Sequence, residues 1–209
     1  MTTEQSNTLQ LKGSSRVISD YFEICIHNIL FQRKIYPRED FKVIRKFGLN
    51  VVFSKNERIT EYIKKIIKQL HSWIYNGKIN WLTLLIVSTE TEAISEKWMF
   101  NIDVKNDLSN NETAVESQTS IKSLEEIQKE IQTIIRQISS SVAYLPVFEE
   151  EQTFKILVHA TGDIKSTKDW SDAKGFREID EKVAESVQFD GIETNNHNVS
   201  TFVTYRTFD

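Results

Sequence analysis

The sequence predicts an α+β fold in which three helices pack against a largely antiparallel sheet. Two patterns indicate this class: three segments carry an apolar residue every three or four positions, and several others are continuously or alternately apolar. The 209 residues include only 6 Gly and 2 Pro, about a third of the usual share, which favours long regular elements. With 39% hydrophobic and 27% charged residues, the chain is expected to form a single domain over residues 1–209.

The first predicted helix covers residues 16–33, and the Gly-Ser-Ser sequence at 13–15 offers its N-cap. Its apolar side chains recur at helical intervals, and Pro37 ends the helical region because the residue before a proline disfavours helical geometry. Residues 41–53 then alternate between apolar and polar on either side of Gly48, which predicts a β-hairpin.

Asn56 is predicted to cap a second helix, which ends at Asn76-Gly77. After it, residues 79–87 are almost unbroken apolar sequence, as is typical of a strand buried on both faces. Residues 98–104 alternate, as is typical of a half-covered neighbour. We expect these two strands to pair across a turn at 89–95.

A polar segment at 106–120 is interpreted as a flexible surface loop. Isoleucines at helical spacing predict a third helix over 121–138, ending before Leu145-Pro146, and an apolar run at 154–158 predicts a further strand.

The C-terminal 50 residues have a different character from the rest. A polar, acidic segment at 161–181 is followed by two weakly patterned strands at 187–192 and 202–208, separated by the Asn-Asn-His-Asn break at 195–198. Weakly specified strands tolerate alternate pairings. The sequence therefore leaves two interpretations: a region with more than one pairing arrangement, or a poorly ordered tail.

Composition and charge argue against several classes of function. The single Cys25 excludes an internal disulfide and, inside an apolar run, indicates a buried thiol in a reducing compartment. No apolar stretch is long enough for a membrane span or a secretory signal, so we expect a cytosolic or nuclear protein with no membrane partner. Residues 1–105 carry 16 basic and 11 acidic side chains, but the lysines at 64, 65 and 68 have the spacing of a solvated helix face, so no nucleic-acid partner is expected.

No motif with a recognised catalytic mechanism is present. The sequence lacks GxGxxG, GxxxxGK[ST], HExxH, GxSxG and CxxC, and its four histidines never lie three or four residues apart. A nucleophile pair of Cys25 with a distant histidine is the alternative, but a thiol in an apolar helix stripe is usually core. We therefore predict no catalytic residue, no metal site and no cofactor, and a protein that is not an enzyme.

The third helix carries a candidate interaction surface. At about 100° per residue, Arg136 projects opposite the isoleucines and Gln137 lies on the flank. An exposed Arg-Gln pair is either a solvated face or a partner surface, since arginine is enriched in interfaces.

Several segments, taken in order, resemble one known family. They are residues 11–41, 69–75 (QLHSWIY), 96–103 (EKWMFNID), 134–146 (IIRQISSSVAYLP), 168–170 (KDW) and 199–206 (VSTFVTYR). Together they resemble the spindle-assembly checkpoint proteins of the HORMA-domain family, in a form that looks fungal, from about residue 9 to residue 208.

The resemblance implies a HORMA domain with a core at about 9–161 and a mobile C-terminal segment at about 162–209, called the safety belt. In this family the belt covers the edge strand in an open state, and in a closed state it crosses the sheet and traps an extended partner peptide. The resemblance assigns six residues to this belt: Trp170, His197, Phe202, Val203, Tyr205 and Phe208. His197 is expected to have a structural and not a catalytic role. The implied peptide-binding edge strand comprises Thr153, Phe154, Lys155, Ile156, Leu157, Val158, His159 and Ala160.

The family's self-association surface maps onto Arg136, Gln137 and Tyr144. Relatives commonly have a basic residue where this chain has Asp190 followed by Gly191, which puts a basic contribution of the belt to that surface in doubt.

The resemblance also implies partners and a location. The partners are a coiled-coil checkpoint anchor protein at kinetochores, the activator subunit of the anaphase-promoting complex, a second copy of the chain in an open-closed or closed-closed dimer, and an AAA+ remodelling ATPase with its adaptor. Sequestering the activator delays anaphase. The expected location is the nucleus and kinetochore with a cytoplasmic pool. The alternative is another peptide-trapping HORMA adaptor, of the meiotic chromosome axis or of a translesion polymerase.

Overall fold

The computed structural model of the protein describes residues 3–105, 122–161, 170, 171, 173 and 179–207, with side chains from residue 13 onward except that of Glu181. In chain order the helices and strands are α1 (Thr3–Gln32), β1 (Phe41–Lys46), β2 (Leu49–Ser54), α2 (Glu57–Tyr75), β3 (Ile79–Ser88), β4 (Ile94–Val104), α3 (Leu124–Ser141), β5 (Gln152–Ala160), β6 (Ala184–Gln188), β7 (Ile192–Glu193) and β8 (His197–Arg206). The predicted α+β class is confirmed. The predicted loop at 106–120 lies outside the described residues.

Helix α1 starts earlier than the sequence suggested. It begins at Thr3, so the N-cap predicted at 13–15 is wrong. Ser14 and Ser15 lie inside the helix and are buried. Because the helix continues N-terminal to Ser14, no cap is needed there, and the Ser14 hydroxyl instead makes hydrogen bonds to distant side chains. The helix ends at Gln32, before Pro37, as predicted.

The predicted hairpin is confirmed as β1 and β2, with Lys46 opposite Leu49. Its two-residue turn, Phe47-Gly48, has φ of 50° and 72°. Positive φ at both positions matches the twist of the flanking strands. The hairpin packs on α1, with ring centroids of Phe31 and Phe41 5.2 Å apart.

Helices α2 and α3 begin at identifiable caps. The Asn56 side chain accepts from the backbone N–H groups of Arg58 and Ile59, as the sequence predicted. Ser123 and Glu126 form a reciprocal capping box at the start of α3, a cap that was not among the predicted features. Both helices are amphipathic, and their isoleucines face the core.

Five strands of the main sheet follow the order β5-β3-β4-β8-β6, and β7 also pairs with β8. The strands pair antiparallel, and β3 and β4 are neighbours as predicted. The helices cover one face: Phe100 of β4 packs against Tyr21 and Phe22 of α1, with centroids 6.0 and 5.3 Å away. Leu82 and Leu84 of β3 are fully buried on the same face.

The expectation of weak C-terminal strands is wrong for β8. This strand of ten residues pairs with β4 along one edge and with β6 and β7 along the other. His197 begins the strand instead of lying in a break. Alternate side chains of β8 are buried, because they point into the space beneath α1.

Candidate functional site

Strand β5 pairs with another strand along one of its two edges. It pairs with β3 from Gln152 opposite Ser88 to Ala160 opposite Ile79. No strand within the described part of the chain pairs with its outer edge. All eight residues from Thr153 to Ala160 lie on this strand. Their outward backbone groups therefore offer a template to which another extended chain can add.

Side chains of β5 contribute to an apolar wall beside that edge. Ile156 is buried, and Phe154 and Val158 pack against the core. The Phe154 ring lies between two tyrosines, with centroid distances of 6.2 Å to Tyr36 and 5.8 Å to Tyr62. Because Tyr62 belongs to α2, it connects the edge strand to the outer face of that helix.

A cavity of about 380 Å³ lies along the outer face of α2. It is lined by Arg58, Glu61, Tyr62, Lys65, Ile66, Gln69 and Trp170. Trp170 comes from the C-terminal segment, and its ring meets Trp73 of α2 edge to face at 4.9 Å. The face of α2 and Trp170 thus border one groove, and Tyr62, which lines it, contacts Phe154 of the edge strand.

The C-terminal segment starts at one edge of the sheet and finishes at the other. Strand β5 ends at Ala160 on the first edge, and β6 begins at Ala184 on the opposite edge. At about 4.8 Å per strand, these edges are roughly 19 Å apart. Trp170 is the described point between them where the chain contacts α2.

Aromatic and hydroxyl contacts fix the far end of this segment to the core. Phe189 stacks on Trp98 with ring planes 8° apart and centroids at 5.8 Å. The Ser14 hydroxyl lies 2.6 Å from Thr194 Oγ1 and 2.8 Å from His197 Nδ1. His197 is fully buried, and burial lowers its pKa, so it is held neutral here.

A buried ion pair lies where α1 meets the segment that leads into β5. Arg33 and Glu96 approach to 2.6 Å, and both are almost fully buried. Arg33 also donates to the carbonyl of Pro146, and its guanidinium sits 4.3 Å above the Phe148 ring. Burial raises the pKa of Glu96, and Arg33 opposes that rise.

Sequence reasoning missed this pair, although a signal was present. Glu96 occupies the same alternating face as Trp98, Phe100 and Ile102, the buried face of β4. A carboxylate at such a position requires a partner. Nothing near it in the sequence identifies Arg33 as that partner, because the two residues meet only in the folded chain.

The three candidate self-association residues have different environments. Arg136 is exposed, as the helical geometry predicted, and Tyr144 is 48% exposed. Gln137 is half-buried and is held by Asp190: its Nε2 donates to Asp190 Oδ2 at 2.9 Å, and the Asp190 N–H donates to its Oε1 at 2.9 Å. The acidic residue singled out in the sequence thus binds α3 directly.

The other belt residues divide between the two faces of the sheet. Val203 and Tyr205 are buried on the helical face, whereas Phe202 is partly exposed on the opposite face. Tyr205 donates to Glu185, and this contact raises the pKa of Tyr205 to about 12. Phe208 lies outside the described residues.

Cys25 is fully buried, and burial raises the pKa of its thiol, so the group is held in the unreactive thiol form. In the described ranges, no three His, Cys, Asp or Glu side chains cluster in a way that could hold a metal ion. None of the helices in the described chain is long and apolar enough to cross a membrane.

Comparison with known proteins agrees with this architecture. A model of the HORMA domain matches residues 14–205. The chain therefore belongs to the HORMA-domain family. The mitotic spindle checkpoint component mad2 of Schizosaccharomyces pombe is 40% identical over 198 residues, which cover 94% of this chain and 93% of that protein.

Solved structures give the same result. A chain in the crystal structure of the mitotic checkpoint complex is 39% identical and superimposes with a TM-score of 0.80, covering 93% of this chain and 99% of that one. Caenorhabditis elegans HTP-1 bound to HTP-3 motif-1 superimposes with a TM-score of 0.75, covering 94% of this chain and 91% of that one. At 14% identity the second match shows a shared fold.

Proposed function

We propose that this protein is a mitotic spindle checkpoint adaptor that acts by trapping a peptide and not by catalysis. The observation that supports this proposal best is the outer edge of β5, which has no partner strand among the described residues and lies beside the groove that α2 and Trp170 border. A partner peptide adds to this edge as an extra strand, and its side chains enter the groove at alternate positions. The belt, residues 162–209, then encloses the peptide, which makes release slow.

The arrangement of the belt supports capture in the closed state. β8 pairs with β4, which leaves the outer edge of β5 to the ligand. In the open state of the family this edge is covered by the belt itself. The mitotic spindle checkpoint relative is 40% identical, whereas a DNA polymerase zeta processivity subunit of the same organism is 20% identical, which favours the checkpoint role over the translesion-polymerase one.

The trapped peptides come from the coiled-coil anchor protein at kinetochores and from the activator subunit of the anaphase-promoting complex. Sequestering the activator delays anaphase. The protein acts in the nucleus and at kinetochores, with a cytoplasmic pool. An AAA+ remodelling ATPase with its adaptor returns the closed form to the open form.

A second copy of the chain binds through Arg136, Gln137 and Tyr144. The exposed side chains of Arg136 and Tyr144 support this role. Since Gln137 is held by Asp190 of the belt, the surface offered by α3 differs between belt positions. Closed protein at the anchor therefore recruits open protein for conversion.

The first test is ion-exchange chromatography of the full chain with and without a peptide from the anchor protein, followed by size exclusion and mass measurement. Two slowly exchanging peaks that collapse into one peptide-bound species support the proposal. A single peak that does not respond to peptide from the anchor or the activator contradicts it.

A matched pair of tryptophan variants tests the groove. We expect Trp170→Ala to speed peptide dissociation about tenfold or more, because aromatic side chains that contact a ligand are often the residues whose truncation costs most affinity; Trp170 is half-buried and lines the groove. Trp81→Ala is the control, since Trp81 lies partly exposed on β3 and does not line the groove. Equal dissociation rates for the two variants, measured by fluorescence polarisation, would remove Trp170 from the site.

A further inference from the structure

A short turn of the belt lies between two lysines of the core. Lys105 directly follows β4, and Lys122 precedes the Ser123 cap of α3. Both reach one carboxylate of the belt: Lys105 Nζ lies 2.5 Å from Glu193 Oε1, and Lys122 Nζ lies 3.6 Å from Glu193 Oε2. Two positions that are 17 residues apart in the sequence thus converge on a single belt side chain.

Backbone groups hold the same turn at three further points. The Lys105 N–H donates to the Asn196 carbonyl at 2.8 Å. The Lys122 N–H donates to Asn195 Oδ1 at 2.9 Å. The Glu193 N–H donates to Oε2 of Glu130 on α3 at 2.9 Å. Each bond joins the turn to a core element that is not part of the belt.

The charges along this turn alternate in sign. Lys105 pairs with Glu193, Glu193 with Lys122, and Lys122 with Glu130. Lys105, followed by the more distant Lys122, lowers the pKa of the Glu193 carboxyl. Without Glu193, Lys105 loses its carboxylate partner in this network, and Glu130 alone balances Lys122. These side chains are 30% (Lys105), 19% (Lys122) and 56% (Glu193) exposed, so dissolved ions can screen them.

Neighbouring contacts of the belt have a different physical character. Ser14, Thr194 and His197 form neutral, buried hydrogen bonds, and Phe189 stacks on Trp98. Salt has little effect on such contacts. The lysine-glutamate network is therefore the part of this belt attachment that ionic strength can weaken selectively.

We propose that Glu193 is an electrostatic latch, which Lys105 and Lys122 hold when β8 pairs with β4 and which slows detachment of the belt turn 193–196. The latch acts on the belt whichever peptide is bound, so it goes beyond the proposed function. Its strength falls as salt concentration rises.

Hydrogen-deuterium exchange of the full chain tests the latch directly. Glu193→Gln keeps the size of the side chain and removes its charge. We expect amides of residues 193–199 to exchange about three- to tenfold faster than in the unmodified chain at low salt, the range of a partly exposed ion-pair network. At 1 M salt, where the Debye length is about 3 Å, the difference should disappear.

Glu125→Gln is the matched control, because it makes the same charge change at an exposed position of α3. Its exchange rates at 193–199 should equal those of the unmodified chain. Lys105→Gln should also speed exchange, yet add little when combined with Glu193→Gln, because the pair is already broken.

Equal exchange in Glu193→Gln and Glu125→Gln, or full additivity of Lys105→Gln and Glu193→Gln, would overturn the latch. Peptide capture is measured on the same samples. Capture without a latch effect rejects only this inference, whereas a latch effect without capture rejects only the proposed function.

Discussion

β5 and β8 are strands of similar length in one sheet, yet they are used in opposite ways. Among the residues that the structure describes, β5 has nine residues and one partner strand, whereas β8 has ten residues and is paired along both edges. Position in the sheet, and not the apolar content of the strand, therefore separates a strand that completes the core from one that is available for binding.

Matched valine substitutions should give the largest difference in unfolding free energy between the two strands. Val203 of β8 is fully buried, and Val158 of β5 is partly exposed. We expect Val203→Asp to cost about 4 kcal/mol of unfolding free energy or more, because it buries an unpaired carboxylate, and Val158→Asp about 1 kcal/mol. Urea denaturation measures both values. Similar losses for the two variants would mean that β8 is not the better buried strand.

Acid should weaken the packing of α1 on the β1-β2 hairpin, where His27 contacts Phe53 and Ser54 of β2, independently of both strands. Burial lowers the pKa of His27 to about 4, with Lys46 and Lys64 contributing. The unfolded chain, with a histidine pKa of about 6.5, then binds more protons between pH 6.5 and 4. Stability attributable to His27 is present above pH 6.5 and should fall by about 3 kcal/mol as the pH drops to 4.

His27→Gln should flatten this part of the stability curve, even if the variant is less stable overall. His159→Gln on the exposed part of β5 is the control and should keep the slope. If His27→Gln retains the full slope between pH 6.5 and 4, another group is responsible.

The hydroxyl that anchors the start of β8 should have a smaller effect. Ser14→Ala leaves Thr194 and His197 without one buried hydrogen-bond partner, and we expect a loss of about 1 to 2 kcal/mol. The exposed Ser72→Ala of α2 serves as control. Thermal unfolding of both variants decides whether this contact stabilises the C-terminal half of the sheet; a loss no larger than that of the control would show that it does not.

The smallest effect on folding is expected on the exposed face of α3. Arg136→Ala should change the unfolding free energy by less than about 0.5 kcal/mol, since the side chain is exposed. It should nevertheless prevent self-association in sedimentation velocity, while peptide capture persists. The exposed Lys68→Ala of α2 should leave both unchanged. Unfolding of the Arg136 variant would contradict the helical orientation.

Elements with local signals were predictable from the sequence. The Asn56 cap and the alternation around Gly48 lie within a few residues of the structure that they specify. The resemblance to a known family also located the edge strand at Thr153 to Ala160, and this segment is a strand with one unpaired edge in the described chain. Its role in binding stays a prediction.

β8 was underestimated because its partners are distant in the sequence. His197 and Thr201 look polar when taken alone, yet Ser14 and Tyr21 of α1 form hydrogen bonds with them in the core. The same reason applies to Arg33 and Glu96, and to Gln137 and Asp190. Periodicity reveals which face of an element is buried, but it does not reveal which polar groups meet there.

The double pairing of β8 also has a consequence in time. To leave its place, the strand must give up its register with β4, from Glu96 opposite Tyr205 to Val104 opposite His197, together with its pairing to β6. Such an opening resembles local unfolding, whose rate rises severalfold for each 10 °C. A molecule in this arrangement therefore keeps its strand pairing for a long time at low temperature, even after conditions change. When it is warmed, the pairing re-equilibrates quickly.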